Sequence, residues 1–251
     1  MDSKKSASPP PAILRAGSIL KIIAARGGPV SATELAKMIG VPRSSTVNIC
    51  VALGEIGLLR ETERGFALGY SLGELGQAFF STSTPVTNFT EFCQRTGPLP
   101  LTVQLGTLDE KDVVYLARQD GQEMISIASR TGGRLPANCT ALGKAMMSAL
   151  DPKHMVRMLE AWEEPFVSRT PKSIKTRTQL VEDVDRSRAR GFAIDDEETT
   201  EGILCVAVPL PSLGGASELY AVSASMPKFS AKPQRIESTA NLLKKMAQDL
   251  G

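Results

Sequence analysis

A chain of 251 residues is long enough for one large domain or two modest ones, and 42% hydrophobic residues are enough to build packed cores. A net charge of +2 excludes a basic surface spread over the whole molecule, so any nucleic-acid face must be local; residues 1–83 carry nine Lys/Arg against six Asp/Glu. Cys50, Cys93, Cys139 and Cys205 form no C-x-x-C pair and no histidine cluster stands beside them, and no apolar run is long enough to span a bilayer, so a soluble, cytoplasmic protein without metal or cofactor is expected.

The first eleven residues, MDSKKSASPPP, have lysines but no apolar core behind them; a disordered tail over 1–11 is expected rather than a signal peptide. AILRAGSILKIIAAR places Ile13, Ala16, Leu20, Ile23 and Ala24 at helical spacing and ends at Gly27-Gly28-Pro29. Ser31 and Glu34 have the spacing of a capping box, followed by Leu35, Met38 and Ile39 and closed by Gly40. After Gly40-Val41-Pro42 a third helix runs to about Gly57, with Thr46, Ile49, Cys50 and Leu53 on one face. The last two helices and their tight turn make a helix-turn-helix, and LLRET and FAL around Glu63-Arg64-Gly65 make a hairpin wing. A winged helix-turn-helix is expected over 12–70.

The stretch GYSLG then matches the G-x-S-x-G nucleophile elbow at Ser71, which needs a histidine partner and a parallel sheet upstream. The sequence holds one histidine, His154, in a D-P-K-H helix start that reads as surface. Ser71 with Glu74 three residues on reads instead as another capping box. Two helices broken near Pro85 follow, the first, 71–83, serving as linker. The second domain, 84–251, opens with the hairpin LTVQLG and DVVYLARQ and a third strand candidate, EMISIAS. Helix signals at 140–150, 152–160 and 175–190, strand-like runs at 192–195, 203–210 and 219–225, and a final helix give an α+β domain with helices packed on a sheet.

Opposite the core stripe of the third helix lie Ser44, Val47, Asn48 and Val51, with Arg43 at its start. An asparagine pairs with adenine and an apolar side chain meets a thymine methyl, while Arg43, Ser44 and Ser45 suit phosphates. Arg64 in the wing turn either touches a phosphate or the minor groove or is merely solvated. On these residues alone a helical protein-interaction module stays open.

GVPRSSTVNICVALGEIGLL resembles the recognition-helix segment of IclR-type bacterial regulators. So do, in order, Arg134-Leu135-Pro136, the T-A-L-G-K-A run from Thr140, the RGFAIDDEE run from Arg190, and Gly202 to Cys205; the resemblance covers about residues 12–250. The chain departs from the family pattern at Asn48, where an arginine is common, and at Asn138-Cys139, where the family has H-A.

The resemblance implies a C-terminal GAF-like antiparallel-sheet domain that binds a small organic acid, double-stranded operator DNA as partner, and homodimers that pair into tetramers. It implies an effector pocket that includes Thr140, Ala141, Leu142, Gly143, Asp195, Cys205, Ser223 and Ser225. A helix start at Thr140 offers N–H groups to a carboxylate, and Ser223 and Ser225 share one strand face. Asp195 would accept from a hydroxyl or hydrate, or be protonated on burial. Without the resemblance these positions read as an N-cap, a buried thiol and strand-face serines. With no flexible cation among the donors, a compact oxo-acid or aldehyde-acid is expected, while Leu135, Leu142 and Met146 leave an aromatic acid open. The expected function is a ligand-responsive DNA-binding regulator, with repression as its expected sign. The alternative is an α+β metabolic enzyme using Cys205 or Cys139 as nucleophile.

Overall fold

The computed structural model describes residues 11–123, 125, 129–211 and 218–251. The chain divides into two compact units between Phe80 and Ser81.

The N-terminal unit runs α1 (Pro11–Arg26), α2 (Ala32–Ile39), α3 (Arg43–Glu55), β1 (Leu59–Thr62), β2 (Gly65–Leu68) and α4 (Ser71–Thr82), the division falling before the last two residues of α4. Ile19 and Ile23 of α1, Leu35 of α2, Cys50 and Leu53 of α3 and Leu59 and Phe66 of the hairpin form its core. The capping box at α2 is complete: Ser31 Oγ accepts from Glu34 N–H and the Glu34 carboxylate accepts from Ser31 N–H. Gly40 closes α2 in the left-handed region.

β1 and β2 pair antiparallel with Leu59 opposite Leu68, and Val30 adds a bridge to Phe66. The bridge brings backbone against Gly65, where a Cβ would lie 2.4 Å from the Val30 carbonyl oxygen; only glycine fits. Ser71 differs from its expected role: it is the first residue of α4 rather than the cap before it, and its N–H donates to Gly57 O at 3.3 Å. A Cβ on Gly57 would come within 2.4 Å of Ser71 Oγ, so GYSLG is a helix start seated on the turn that follows α3.

The C-terminal unit contains α5 (Thr84–Thr96), β3 (Thr102–Asp109), β4 (Asp112–Gln119), β5 (Arg134–Pro136), α6 (Ala141–Ala149), α7 (Pro152–Glu160), α8 (Arg177–Arg190), β6 (Ala193–Asp196), β7 (Ile203–Pro209), β8 (Tyr220–Pro227) and α9 (Pro233–Leu250). Six strands form one antiparallel sheet in the order β5-β4-β3-β8-β7-β6, so the two batches of strands join at β3 and β8. The expected strand EMISIAS includes residues 124 and 126–128, which lie outside the described residues, as do residues 1–10 of the expected tail.

Strand alternation divides the side chains between two layers. Ala193, Ala207 and Ala221 face α6, joined there by Leu142, Ala145 and Met146, with Met155, Leu180 and Val184 of α7 and α8 in the same core. These small residues let α6 lie close to the sheet: a Cβ on Gly106 would stand 3.0 Å from Leu142 Cδ1. The opposite face, with Val206, Val222 and Ala224, is covered by α9, which buries Ala240, Leu243, Met246 and Leu250 and packs against α5.

Candidate functional site

The outward surface of α3 follows from which residues its core takes. Thr46, Cys50 and Leu53 are buried, and Thr46 Oγ1 donates to Pro42 O at 3.2 Å, fixing the helix start. Arg43, Ser44, Asn48 and Val51 are exposed on the other side, while Ser45 and Val47 are half-buried. Arg64 stands exposed at the wing tip, its N–H donating to Thr62 Oγ1 at 3.3 Å.

In the C-terminal unit the α6-facing side of the sheet changes character along the strands. Two residues beyond Ala193 comes Asp195, two before Ala207 comes Cys205, and Ser223 and Ser225 continue the face of Ala221. A cavity of about 20 Å³ opens there, room for one water, lined by Gln104, Tyr115, Ser129, Leu135, Asp195, Thr199, Thr200, Ile203, Cys205 and Ser225.

Its polar groups are held by local hydrogen bonds. Asp195 Oδ1 accepts from Glu198 N–H at 2.7 Å and Thr199 N–H at 3.2 Å, yet burial raises its pKa above the ordinary carboxylate value. Cys205 Sγ lies 3.2 Å from Ser225 Oγ, and Gln104 Nε2 donates to Ser129 Oγ. Burial pushes the Cys205 and Tyr115 pKa values up, and the Cys139 thiol up to about 12. Both thiols are therefore protonated at neutral pH, and a protonated thiol is not a nucleophile. His154 stands exposed in the first turn of α7, its N–H capped by Asp151 as the sequence implied.

Asp195, Cys205 and Ser225 thus meet at the cavity; the other expected effector residues stand outside its lining. Ser223 shares the face, paired with Gln104 and Ala207. Thr140 caps α6, its Oγ1 accepting from Gly143 N–H at 3.2 Å. Gly143 is pressed on Ala137, whose carbonyl oxygen a Cβ would approach to 2.3 Å, and Ala141 and Leu142 belong to the core.

Several lining residues escaped the sequence. Gln104 and Tyr115 are ordinary strand residues until the folded sheet sets them around one cavity with Ser225 and Asp195; Thr199 and Thr200 immediately follow the D-D-E-E run, the one local signal available. The structure also supplies a cation at the flank: exposed Arg169 donates through Nε to Thr199 O at 3.3 Å, and its charge opposes the burial-driven rise at Tyr115 and Cys139. Asn138, at the family-divergent position, donates through Nδ2 to Val167 O at 3.0 Å and Ile174 O at 2.7 Å, tying that segment beside α6.

Behind the cavity, Lys144 of α6 is fully buried, its Nζ 2.5 Å from Glu198 Oε1 and 3.0 Å from Asp183 Oδ2 of α8. Glu198 Oε2 has no hydrogen-bond partner among the described residues. Since Glu198 N–H also holds Asp195, the ion cluster positions the cavity's acid through one residue's backbone and side chain.

The family described as the IclR helix-turn-helix domain matches residues 12–63, and that described as the bacterial transcriptional regulator IclR C-terminal domain matches residues 86–251. The chain belongs to the IclR family. It is similar to the HTH-type transcriptional regulator XynR of Escherichia coli, 30% identical over 78% of each chain. The HTH-type transcriptional regulator BhcR of Paracoccus denitrificans is 28% identical over 95% of this chain and 85% of its own. Among solved structures, the Thermotoga maritima IclR superposes with a TM-score of 0.70 at 27% identity, covering 95% of this chain and 96% of that one.

This IclR-family regulator is therefore a transcriptional regulator with a DNA-binding helix-turn-helix and an effector domain, and not an enzyme. Among the described residues no helix is long and apolar enough to cross a membrane.

Proposed function

We propose that this regulator is a cytoplasmic repressor that leaves its operator when a compact carboxylic acid, an oxo-acid or aldehyde-acid, enters the C-terminal unit. Residues 12–70 bind DNA, 71–83 link, and 84–251 sense. The observation that carries this reading is the polar cavity on the sheet, where Asp195, Cys205 and Ser225 meet Gln104 and Thr199. With room for one water, the cavity admits an acid only as its walls part, which favours a compact ligand. The carboxylate is held by the hydroxyls of Ser225 and Ser223 and by the α6 start at residues 140–143, while Asp195, raised in pKa by burial, donates to or accepts from the second oxygen function.

Two similar proteins support repression as the sign and a carboxylic acid as the ligand, with an aromatic acid as the alternative to the oxo-acid. The transcriptional repressor IclR of Escherichia coli is 25% identical over 78% of this chain and 72% of its own. An IclR homolog of Microbacterium hydrocarbonoxydans, alike in fold with a TM-score of 0.75 at 20% identity, is complexed with 4-hydroxybenzoate. The regulator binds paired half-sites as a symmetric dimer, and dimers pair into tetramers, because one helix-turn-helix reads too few bases. Exposed Ile13 and Leu14 of α1 and Leu75 of α4 supply apolar surface for pairing.

On the DNA, α3 enters the major groove. Arg43, Ser44, Ser45 and Arg64 hold backbone phosphates, and Val47 and Asn48 face bases. Arg43→Ala is expected to weaken binding to all sequences and to reduce the salt slope by about one, whereas Asn48→Ala costs about 1–3 kcal/mol at one base position, both read by gel shift. Retardation of the chain's own upstream DNA, relieved by one of a panel of small oxo-acids, semialdehydes and 4-hydroxybenzoate, tests the whole reading. A panel member that also raises the melting temperature, and loses that effect in Ser223→Ala/Ser225→Ala, places the ligand on this face. No salt-sensitive retardation at any concentration overturns it.

A further inference from the structure

The recognition surface of α3 has an unusual composition. After Arg43 the helix holds no lysine or arginine, and Glu55 is the one acidic side chain in it. Ser44, Asn48 and Val51 stand in line on the side opposite buried Thr46, Cys50 and Leu53, with Val47 flanking them. Val51 is 50% exposed. An exposed valine in mid-helix adds no core packing and is a weaker helix former than alanine, so neither stability nor propensity accounts for it.

Guanine is read in the major groove chiefly by paired donors from arginine or lysine, adenine by the donor-acceptor pair of asparagine or glutamine, and thymine by apolar contact with its C5 methyl. The exposed line on α3 offers the second and third and lacks the first. Ser44 hydrogen-bonds either a base edge or a phosphate and discriminates little.

We propose that α3 reads an A·T-rich half-site in which Asn48 pairs with an adenine and Val51, flanked by Val47, packs on the C5 methyl of a neighbouring thymine. The inference rests on the reading of α3 as the helix in the major groove. It goes beyond that reading by naming Val51 as a specificity residue and the base class it selects.

The test uses the full chain. Operators are selected from a random duplex library, and the best binder is resynthesised with single thymines replaced by uracil, which removes the C5 methyl and leaves pairing intact. The half-site core contacted by α3 is expected to be A·T-rich, and uracil at one or two of its positions is expected to weaken wild-type binding by about three- to fivefold, the effect of one buried methyl. Val51→Ala is expected to bind the thymine and uracil operators equally, and Val51→Thr, which keeps a γ-methyl, to restore part of the difference. Uracil sensitivity that survives in Val51→Ala, a wild type indifferent to uracil, or a selected core of G·C pairs overturns the proposal while leaving DNA binding itself intact. Failure to select any DNA overturns the proposal together with the reading beneath it. The circular-dichroism spectrum of Val51→Ala confirms that α3 is retained.

Discussion

The N-terminal unit keeps its working residues in solvent over an apolar core, whereas the C-terminal unit sinks charges and hydroxyls into its interior. Around Ile19, Ile23, Leu35 and Leu53 the helix-turn-helix buries almost nothing that is polar, Thr46 being held by Pro42 O. The sensory unit buries Lys144, Asp195, Glu198, Gln104, Ser223 and Ser225. The difference reflects what each must contact. A DNA duplex stays outside the protein, so its reader needs only a rigid helix and a free face. A small-molecule effector must be surrounded, so polar groups stand inside such a domain, and each needs a partner to offset its lost hydration.

The contrast breaks most sharply at Lys144. Lys144→Met leaves buried Glu198 without its cation and half-buried Asp183 with Arg186 alone, and the expected loss is about 3–5 kcal/mol. Trp162, the single tryptophan, lies in the C-terminal unit, so urea unfolding followed by its fluorescence reads that unit. A variant that unfolds at the wild-type midpoint would show that the cluster contributes nothing to stability. The deficit is expected to shrink in mild acid, where Glu198 takes up a proton.

The same cluster gives the two units different pH responses. Burial raises Glu198 to about 7 against the opposing pull of Lys144, with Asp195 and Asp183 adding like charge, and burial raises Asp195 in the same direction. A carboxyl whose folded pKa exceeds its unfolded value stabilises the fold below the unfolded pKa, and that stability is lost as pH rises through the folded one. Between about pH 4.5 and 7 the Trp162 transition is therefore expected to weaken, by roughly 1.4 kcal/mol per unit of raised pKa. Asp183, whose pKa its ion pair with Lys144 lowers, acts only below that window. Glu198→Gln should flatten the slope in urea titrations at pH 5 and 7.5; an unchanged slope would assign it to Asp195 instead.

The smallest expected effect sharpens the comparison from the other side. Ser31→Ala removes the α2 cap in the N-terminal unit, with an expected cost of about 1 kcal/mol. It should speed hydrogen exchange of the α2 amides and leave the Trp162 transition unmoved. Equal loss in both would mean that the units do not unfold separately.

What the sequence determined by itself was local. The capping box of Ser31 and Glu34, the α2 stop at Gly40, the Asp151-Pro152 helix start and the wing around Gly65 are read from residues a few positions apart, because a cap or turn is satisfied within its own segment. The outward face of α3 is legible for the same reason, since helical periodicity alone sorts Asn48 from Cys50. Even there Ser71 differs: its spacing to Glu74 fits a cap, but it is the first residue of α4, with its Oγ against Gly57.

Only the tertiary structure assembled the polar cavity. Register places Cys205 opposite both Asp195 and Ser225, and Tyr115 arrives through β3 and β4 with a bulge between Leu105 and Gly106. Gln104 carries no local sign of its role, and Arg169 reaches the cavity's flank from a loop with no periodicity to read. At the α6 start, Thr140 is legible as a cap, but the packing of Gly143 against Ala137 is seen only in the structure. A binding cavity is a relation among strands far apart in the chain, and hydrophobic alternation says which face each strand buries without saying which neighbours will share it.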